Sequence, residues 1–369
     1  MISPLILAAA LASVSRAAPA PELSTTTAAQ VEAAITKFMA DTKVPGLAVA
    51  VVEEGTLEWT KGYGLADIKK NIPALPLTLF RLASVSKTIT AVAAMQLWER
   101  NQLDLDAPVQ NYCPAYPKKD SVITTRQLLG NLGGVRFYNS NSPHDSEWGN
   151  KRHFDDPIRG GLSFFEHDPL VEKPGAKFHY STQGFTLVGC AIEGAAKRKF
   201  VDDVRENVFK PAGMTNAAVD DPRKPVVQRT SYYSKDKNGE VVPAHYIDSS
   251  YKIPGGGFMA SAEDMAHYEE ALLADKLVKR STRDLMWTSQ KTTGGEETGY
   301  GYGFFTPKVQ GMAAAEHAGG QQGTSTDILL VPEKNTGVVV LMNMDGQDAA
   351  GLAKQIMDIV LSGRTNAVH

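Results

Sequence analysis

Two cysteines in 369 residues are too few to build a disulfide scaffold. Cys113 and Cys190 read as free buried thiols, because pairing needs a proximity that sequence spacing does not supply. Basic charge is also short: the formal charge is -3, and the one compact cationic run, Lys197-Arg198-Lys199, reads as a solvated helix end. A nucleic acid partner therefore has no electrostatic footprint. No Asn-x-Ser/Thr acceptor for N-glycosylation occurs. His144, His153 and His167 form no helical pair that would hold a metal. Gly62-Tyr63-Gly64 is not followed by the helix a dinucleotide site requires. Chemistry without metal or cofactor is the expectation.

Long apolar runs are missing too. The longest, Pro4 to Val14, is too short to span a bilayer comfortably, so no integral membrane segment is expected in the mature chain. Followed by Arg16 and Ala17-Ala18-Pro19-Ala20, it resembles a cleavable secretory segment over residues 1–20. Export to a periplasm or medium is the expected destination, with an organelle as the alternative.

What is present is enough apolar material for a large core. Val31, Ile35 and Phe38 mark a helix over Thr25 to Met39, and Lys43-Val44-Pro45-Gly46 ends it. Leu47 to Val52 and Leu57 to Tyr63 read as strands joined by the turn Glu53-Glu54-Gly55-Thr56. A long helix follows Ser84, with Val85, Ile89, Val92, Ala93 and Met95 as its buried face. Gly130 to Gly175 has little periodicity; such a stretch is either a functional lid or hides a short element. Its Phe137, Tyr138, Trp148, Phe164 and Phe165 argue for packing against the body. Thr182 to Lys197 is a second helix, and Ser261 with Asp264 forms a capping box opening a third that runs to about Leu277. Tyr300 to Phe305, Thr324 to Val331 and Gly337 to Met342 read as strands, and Gly351 to Leu361 as a terminal helix.

Strands thus cluster near both ends. The fold class is α/β of the α+β type: an antiparallel sheet flanked by terminal helices, with a large helical insertion. Residues 22–83 and 300–362 would form the sheet domain and 84–299 the insertion, with the site at their interface.

Three stretches carry chemistry. In Ser84-Val85-Ser86-Lys87 the hydroxyl and amine lie three residues apart, on one face if the helix starts at Ser84. A lysine desolvated among apolar side chains can act as the base a serine nucleophile needs. Ser84 as a simple helix cap is the alternative. Tyr180, just before the second helix, places a phenol at a domain edge, as proton relay or as a packed aromatic. His317-Ala318-Gly319-Gly320 precedes an apolar strand; a main-chain N–H there can face an oxyanion together with that of Ser84, or the glycines mark a bulge.

In this order the motifs resemble those of the penicillin-recognising serine hydrolases: class C β-lactamases, D-alanyl-D-alanine carboxypeptidases and the serine esterases of the same fold. The resemblance covers Thr25 to Leu361. It implies that Ser84 is acylated, Lys87 is its base and Tyr180 of Tyr180-Ser181-Thr182 relays the proton. It further implies that His317 and Gly319 line the substrate and that the Gly320 N–H completes the oxyanion hole. Gly255-Gly256-Gly257-Phe258 is similar to the family's glycine turn beside the cleft.

Three positions depart from the family pattern. Thr182 replaces an asparagine that holds the acyl-side amide, and a hydroxyl cannot make both amide hydrogen bonds. His317 replaces a charged lysine and is expected to be partly charged at neutral pH. Asn131-Leu132-Gly133-Gly134 stands where His-Thr-Ser-Gly is common. Hydrolysis of a small ester or peptide is therefore expected ahead of β-lactam turnover. The leading reading is a serine hydrolase of carboxylesterase type. The alternatives are a serine peptidase or D-alanyl-D-alanine carboxypeptidase, a β-lactamase, or an idle binding protein.

Overall fold

The computed structural model describes residues 23–138 and 149–366. The expected secretory segment, Trp148 and His144 lie outside the described residues. Helix α1, Thr25–Thr42, is capped by the Ser24 hydroxyl accepting from the Thr27 N–H, and ends where Lys43 turns left-handed. Strands β1 (Gly46–Glu53), β2 (Thr56–Asp67) and the short β3 (Ile72–Pro73) follow. Next come α2 (Ser86–Glu99), α3 (Thr182–Ala196) and α4 (Ala262–Leu273). The chain closes with β4 (Ala315–Gln321), β5 (Thr324–Val331), β6 (Thr336–Met342) and α5 (Ala349–Asn366).

The sheet order is β4-β5-β6-β1-β2-β3. Its centre is the antiparallel pair of β1 and β6, with Val49 opposite Val340, so the two ends of the chain meet there. β1 is buried on both faces, which explains its unbroken apolar run. Ala48, Ala50 and Val52 join the core shared with the helical region, and Leu47, Val49 and Val51 the core under α1 and α5. β4 is the sheet edge.

Several expectations are corrected. Helix α2 does not show one buried face: Ser86 to Leu97 are all buried, because it runs through the middle of the helical region. Its threonines donate to carbonyls, Thr88 Oγ1 to Val85 O at 2.8 Å and Thr90 Oγ1 to Pro254 O at 2.7 Å. Tyr300 to Phe305 is not a strand but a tight loop in which Tyr300 bridges Phe305. Gly303, at φ +80, lies against the backbone of Lys87, where a side chain would collide. The irregular stretch hides a short helix, Pro157–Leu162, capped by Asp156. Helix α4 ends at Leu273, four residues earlier than expected, after the foreseen capping box of Ser261 and Asp264.

Cys113 and Cys190 are not free thiols. They form a disulfide, Cα atoms 5.4 Å apart, tying the loop after α2 to the middle of α3. The bridge spans 77 residues of sequence, and only the fold brings its ends together. No helix among the described residues is long and apolar enough to cross a membrane.

Candidate active site

Ser84 sits in a single 3-10 turn, Ala83–Val85, leading directly into α2. The preceding Ala83 has φ +46, a left-handed conformation that costs a non-glycine residue about 1–3 kcal/mol. The turn is held from the sheet: Thr324 Oγ1 donates to Arg81 O at 3.0 Å and Thr326 Oγ1 to Leu82 O at 2.9 Å. From the other side the Leu82 N–H donates to Phe258 O at 2.9 Å. Gly319 of β4 packs against this turn so closely that a Cβ would stand 2.5 Å from Leu82 O and 3.1 Å from the Ser84 nitrogen. The glycine lets the edge strand approach Ser84. Gly320, next along, is exposed and faces open space.

One turn into α2, Lys87 is fully buried. Its Nζ makes three contacts: Ser84 Oγ at 3.1 Å, Thr182 Oγ1 at 3.2 Å and Gly255 O at 2.7 Å. The Tyr180 and Phe185 rings lie 4.8 and 5.7 Å from it. Burial, reinforced by the charge of Lys252, lowers its pKa well below the ordinary lysine value. The expected Ser84–Lys87 juxtaposition is therefore present, with the amine in an environment that favours its neutral form. Thr182, the first residue of α3, is buried, and its hydroxyl is turned toward Lys87.

Tyr180 lies alongside, ringed by Phe137, Phe305, Tyr300 and His317 with centroids 5.6 to 6.4 Å away. Burial raises the pKa of its phenol, and the nearby Ser84 hydroxyl opposes that only in part, so it stays protonated at neutral pH. Its position is fixed by Asn131, from the loop whose sequence departs from the family pattern. Asn131 O accepts from the His179 N–H at 2.8 Å, and Asn131 Oδ1 from the Ser181 N–H at 3.0 Å, clamping Tyr180 from both sides. Asn131 reaches this arrangement with φ +55. Its signal in the sequence was an asparagine just past the end of a short helix.

His317 corrects an expectation. It is 1 % exposed, and its Nδ1 is 2.7 Å from the Ala318 carbonyl, so Nδ1 carries the proton. Nε2 is then the acceptor for the Tyr300 hydroxyl at 3.2 Å. Burial first, then the charge of Lys87, draw its pKa down to about 3, so it is neutral rather than partly charged at physiological pH. Tyr300, read in the sequence as a strand residue, belongs to the site through this bond. Gly255, in the foreseen glycine turn, contributes its carbonyl to Lys87.

The site is thus a serine on a strained turn, an amine in a dry setting and a protonated phenol, beside an edge strand with open space at Gly320. The beta-lactamase family model matches residues 31–361. The chain belongs to the beta-lactamase family. It is 28 % identical to the human serine beta-lactamase-like protein LACTB, mitochondrial, over 86 % of this chain and 74 % of that protein. Among solved structures it is similar to an octameric penicillin-binding protein homologue from Pyrococcus abyssi, with a TM-score of 0.78 and 26 % identity, over 91 % of this chain and 77 % of that one. EstCE1, described as a hydrolase with promiscuous acyltransferase activity, shares the fold at a TM-score of 0.76 and 23 % identity, over 91 % and 98 % of the two chains. Like the beta-lactamase family at large, this chain is a serine acyl hydrolase.

Proposed function

We propose that the protein hydrolyses esters of small carboxylic acids through an acyl-Ser84 intermediate. The observation that carries this reading is the contact of Lys87 Nζ with Ser84 Oγ in a site that favours a neutral amine. Neutral Lys87 takes the Ser84 proton as Oγ attacks the carbonyl carbon. The N–H groups of Ser84 and Gly320 receive the oxyanion. Tyr180, a phenol at neutral pH, protonates the leaving group, and water then releases the acyl group. The site binds no cofactor in this scheme.

The substrate ranking rests on His317. The family's charged lysine is replaced by a buried, neutral imidazole, which removes an attraction for a β-lactam carboxylate. Esters therefore rank first. Peptides, including D-alanyl-D-alanine stems, rank second, because the protonated Tyr180 also suits an amine leaving group. The Cys113–Cys190 disulfide favours an oxidising compartment and so supports export ahead of an organelle.

Labelling with a neutral fluorophosphonate, followed by peptide mapping, tests the nucleophile: the adduct belongs on Ser84 and disappears in Ser84→Ala. An adduct on another serine overturns the assignment. Turnover of 4-nitrophenyl butyrate, a D-alanyl-D-alanine peptide and a chromogenic cephalosporin tests the ranking, and a kcat/KM for the cephalosporin equal to or above that of the ester reverses it.

A further inference from the structure

A second buried lysine stands beside the site, and the scheme above leaves it idle. Lys252 closes the 3-10 turn Ser250–Lys252, immediately before the helical turn Ile253–Gly256 that supplies Gly255, and is only 6 % exposed. Its ammonium lies 5.6 Å from the Tyr138 ring centre and 5.5 Å from that of Tyr251. No carboxylate among the described residues pairs with it. Asp220 is held by Arg81 Nε at 2.6 Å and has Arg229 Nε at 3.8 Å. Asp248 takes His153 Nδ1 at 2.9 Å and the Ser250 N–H at 2.9 Å. Arg81, Arg229 and Lys252 thus share the field of a single carboxylate, Asp220, that is already engaged by Arg81. Burial, with Arg81 adding to it, draws the Lys252 pKa down to about 7.

An ammonium removed from water without a counter-ion is a standing cost to the fold, only partly offset by two aromatic faces. Such a residue makes physical sense where a ligand brings the missing negative charge. The geometry also says which part of the substrate that is. Tyr180, the proposed donor to the leaving group, packs with His317 and Phe305, toward the His317 end of β4. Arg81, whose charge Lys252 feels, donates to Gln322 O at 3.0 Å, just beyond the opposite end of β4. With the leaving group at the His317 end, the acyl chain runs toward Gln321, and a Cβ on Gly256, four residues after Lys252, would stand 3.7 Å from Gln321 Oε1.

We infer that Lys252 is a specificity residue that binds a carboxylate on the acyl portion of the substrate, making the preferred substrate a monoester or monoamide of a dicarboxylic acid or an acidic acyl peptide. This rests on the acyl-Ser84 reading. Here the missing lysine of the His317 position is not simply lost: cationic recognition has moved from the leaving-group end of β4 to the acyl end.

The experiment compares 4-nitrophenyl glutarate monoester with 4-nitrophenyl glutaramate, which differ only in carboxylate against carboxamide. The wild-type enzyme favours the carboxylate by about ten- to a hundredfold in kcat/KM, the scale of a charge-assisted hydrogen bond. In Lys252→Met, and in Lys252→Gln as a second variant of different packing, the ratio falls to near one. Lys252→Arg retains part of it. A wild-type ratio near one, or a ratio unchanged in both neutral variants, overturns the inference. Fluorophosphonate labelling of the same preparations separates the two readings: Ser84 labelled without a carboxylate preference removes only the role of Lys252, whereas wild-type enzyme unlabelled at Ser84 removes the acyl-enzyme and this inference with it.

Discussion

Lys87 Nζ lies 2.7 Å from the carbonyl oxygen of Gly255, closer than to either hydroxyl it touches. A carbonyl only accepts, so one N–H of the amine is always directed there. Thr182 Oγ1 takes a second. A neutral amine has then no N–H left over, and its lone pair faces Ser84. The backbone of the glycine turn therefore orients the amine of Lys87.

Replacing Lys87 by arginine fixes a positive charge at this position and removes the proposed base. Acylation by an ester in stopped-flow measurements is expected to slow by about two to four powers of ten. Acylation at the wild-type rate would show that Lys87 is an electrostatic anchor and that Tyr180 or another group removes the proton. In the wild type, the lowered pKa of Lys87 enlarges its neutral fraction, so kcat/KM falls as pH drops through that pKa.

Tyr300→Phe removes the hydroxyl that donates to His317 Nε2 and leaves a buried acceptor unpaired. A loss of about 1–3 kcal/mol in urea unfolding is expected. Because His317 is neutral down to about pH 3, its replacement by glutamine should not shift the acid limb of kcat/KM. A shift of that limb by a full pH unit would show that the imidazole titrates in the working range.

Glu269 in α4 is wholly buried, neither carboxylate oxygen has a hydrogen-bond partner, and burial followed by the charge of Glu270 raises its pKa far above the ordinary value. Folding then takes up a proton wherever the unfolded carboxyl, at about 4.3, is ionised. Stability from this group is greatest below that pH and declines as pH rises toward the folded pKa. Glu269→Gln should raise the urea midpoint at pH 7.5 and have little effect at pH 4. A lowered midpoint at pH 7.5 would mean that the carboxylate is ionised and compensated.

Reducing the Cys113–Cys190 bridge, or replacing both residues by alanine, should cost about 2–4 kcal/mol, the typical scale for a native disulfide. Equilibrium unfolding with and without reductant measures it. Identical midpoints would place the bridge outside the unit that unfolds cooperatively.

What the sequence made legible was local. The α1 stripe, the β1–β2 hairpin, the Ser261–Asp264 capping box and the Ser84–Lys87 spacing each declare themselves within a few residues, because capping, turn chemistry and periodicity act over that range. The misreadings that bear on the site concern partners far away in sequence. Tyr300 to Phe305 alternates aromatic residues with glycines as a strand does, and only the backbone of Lys87 against Gly303 makes it a loop. The disulfide joins positions with no common signal. His317 is neutral because the fold buries it against Tyr300. Nothing near Lys252 in the sequence announces that the fold buries it with no carboxylate paired to it among the described residues.

The pairing of β1 with β6 sets the order in which this protein matures. Leu47 and Met342 are neighbours in the sheet although about three hundred residues separate them, and β4, with Gly320, is anchored to β1 only through β5 and β6. During synthesis Ser84, Lys87 and Tyr180 emerge long before the sheet that completes their surroundings. Contacts of such long range form late and slowly. On the proposed scheme a nascent chain carries Ser84 without the edge strand beside it, and acylation at Ser84 awaits the docking of the last strands. Active-site labelling consequently counts completed chains.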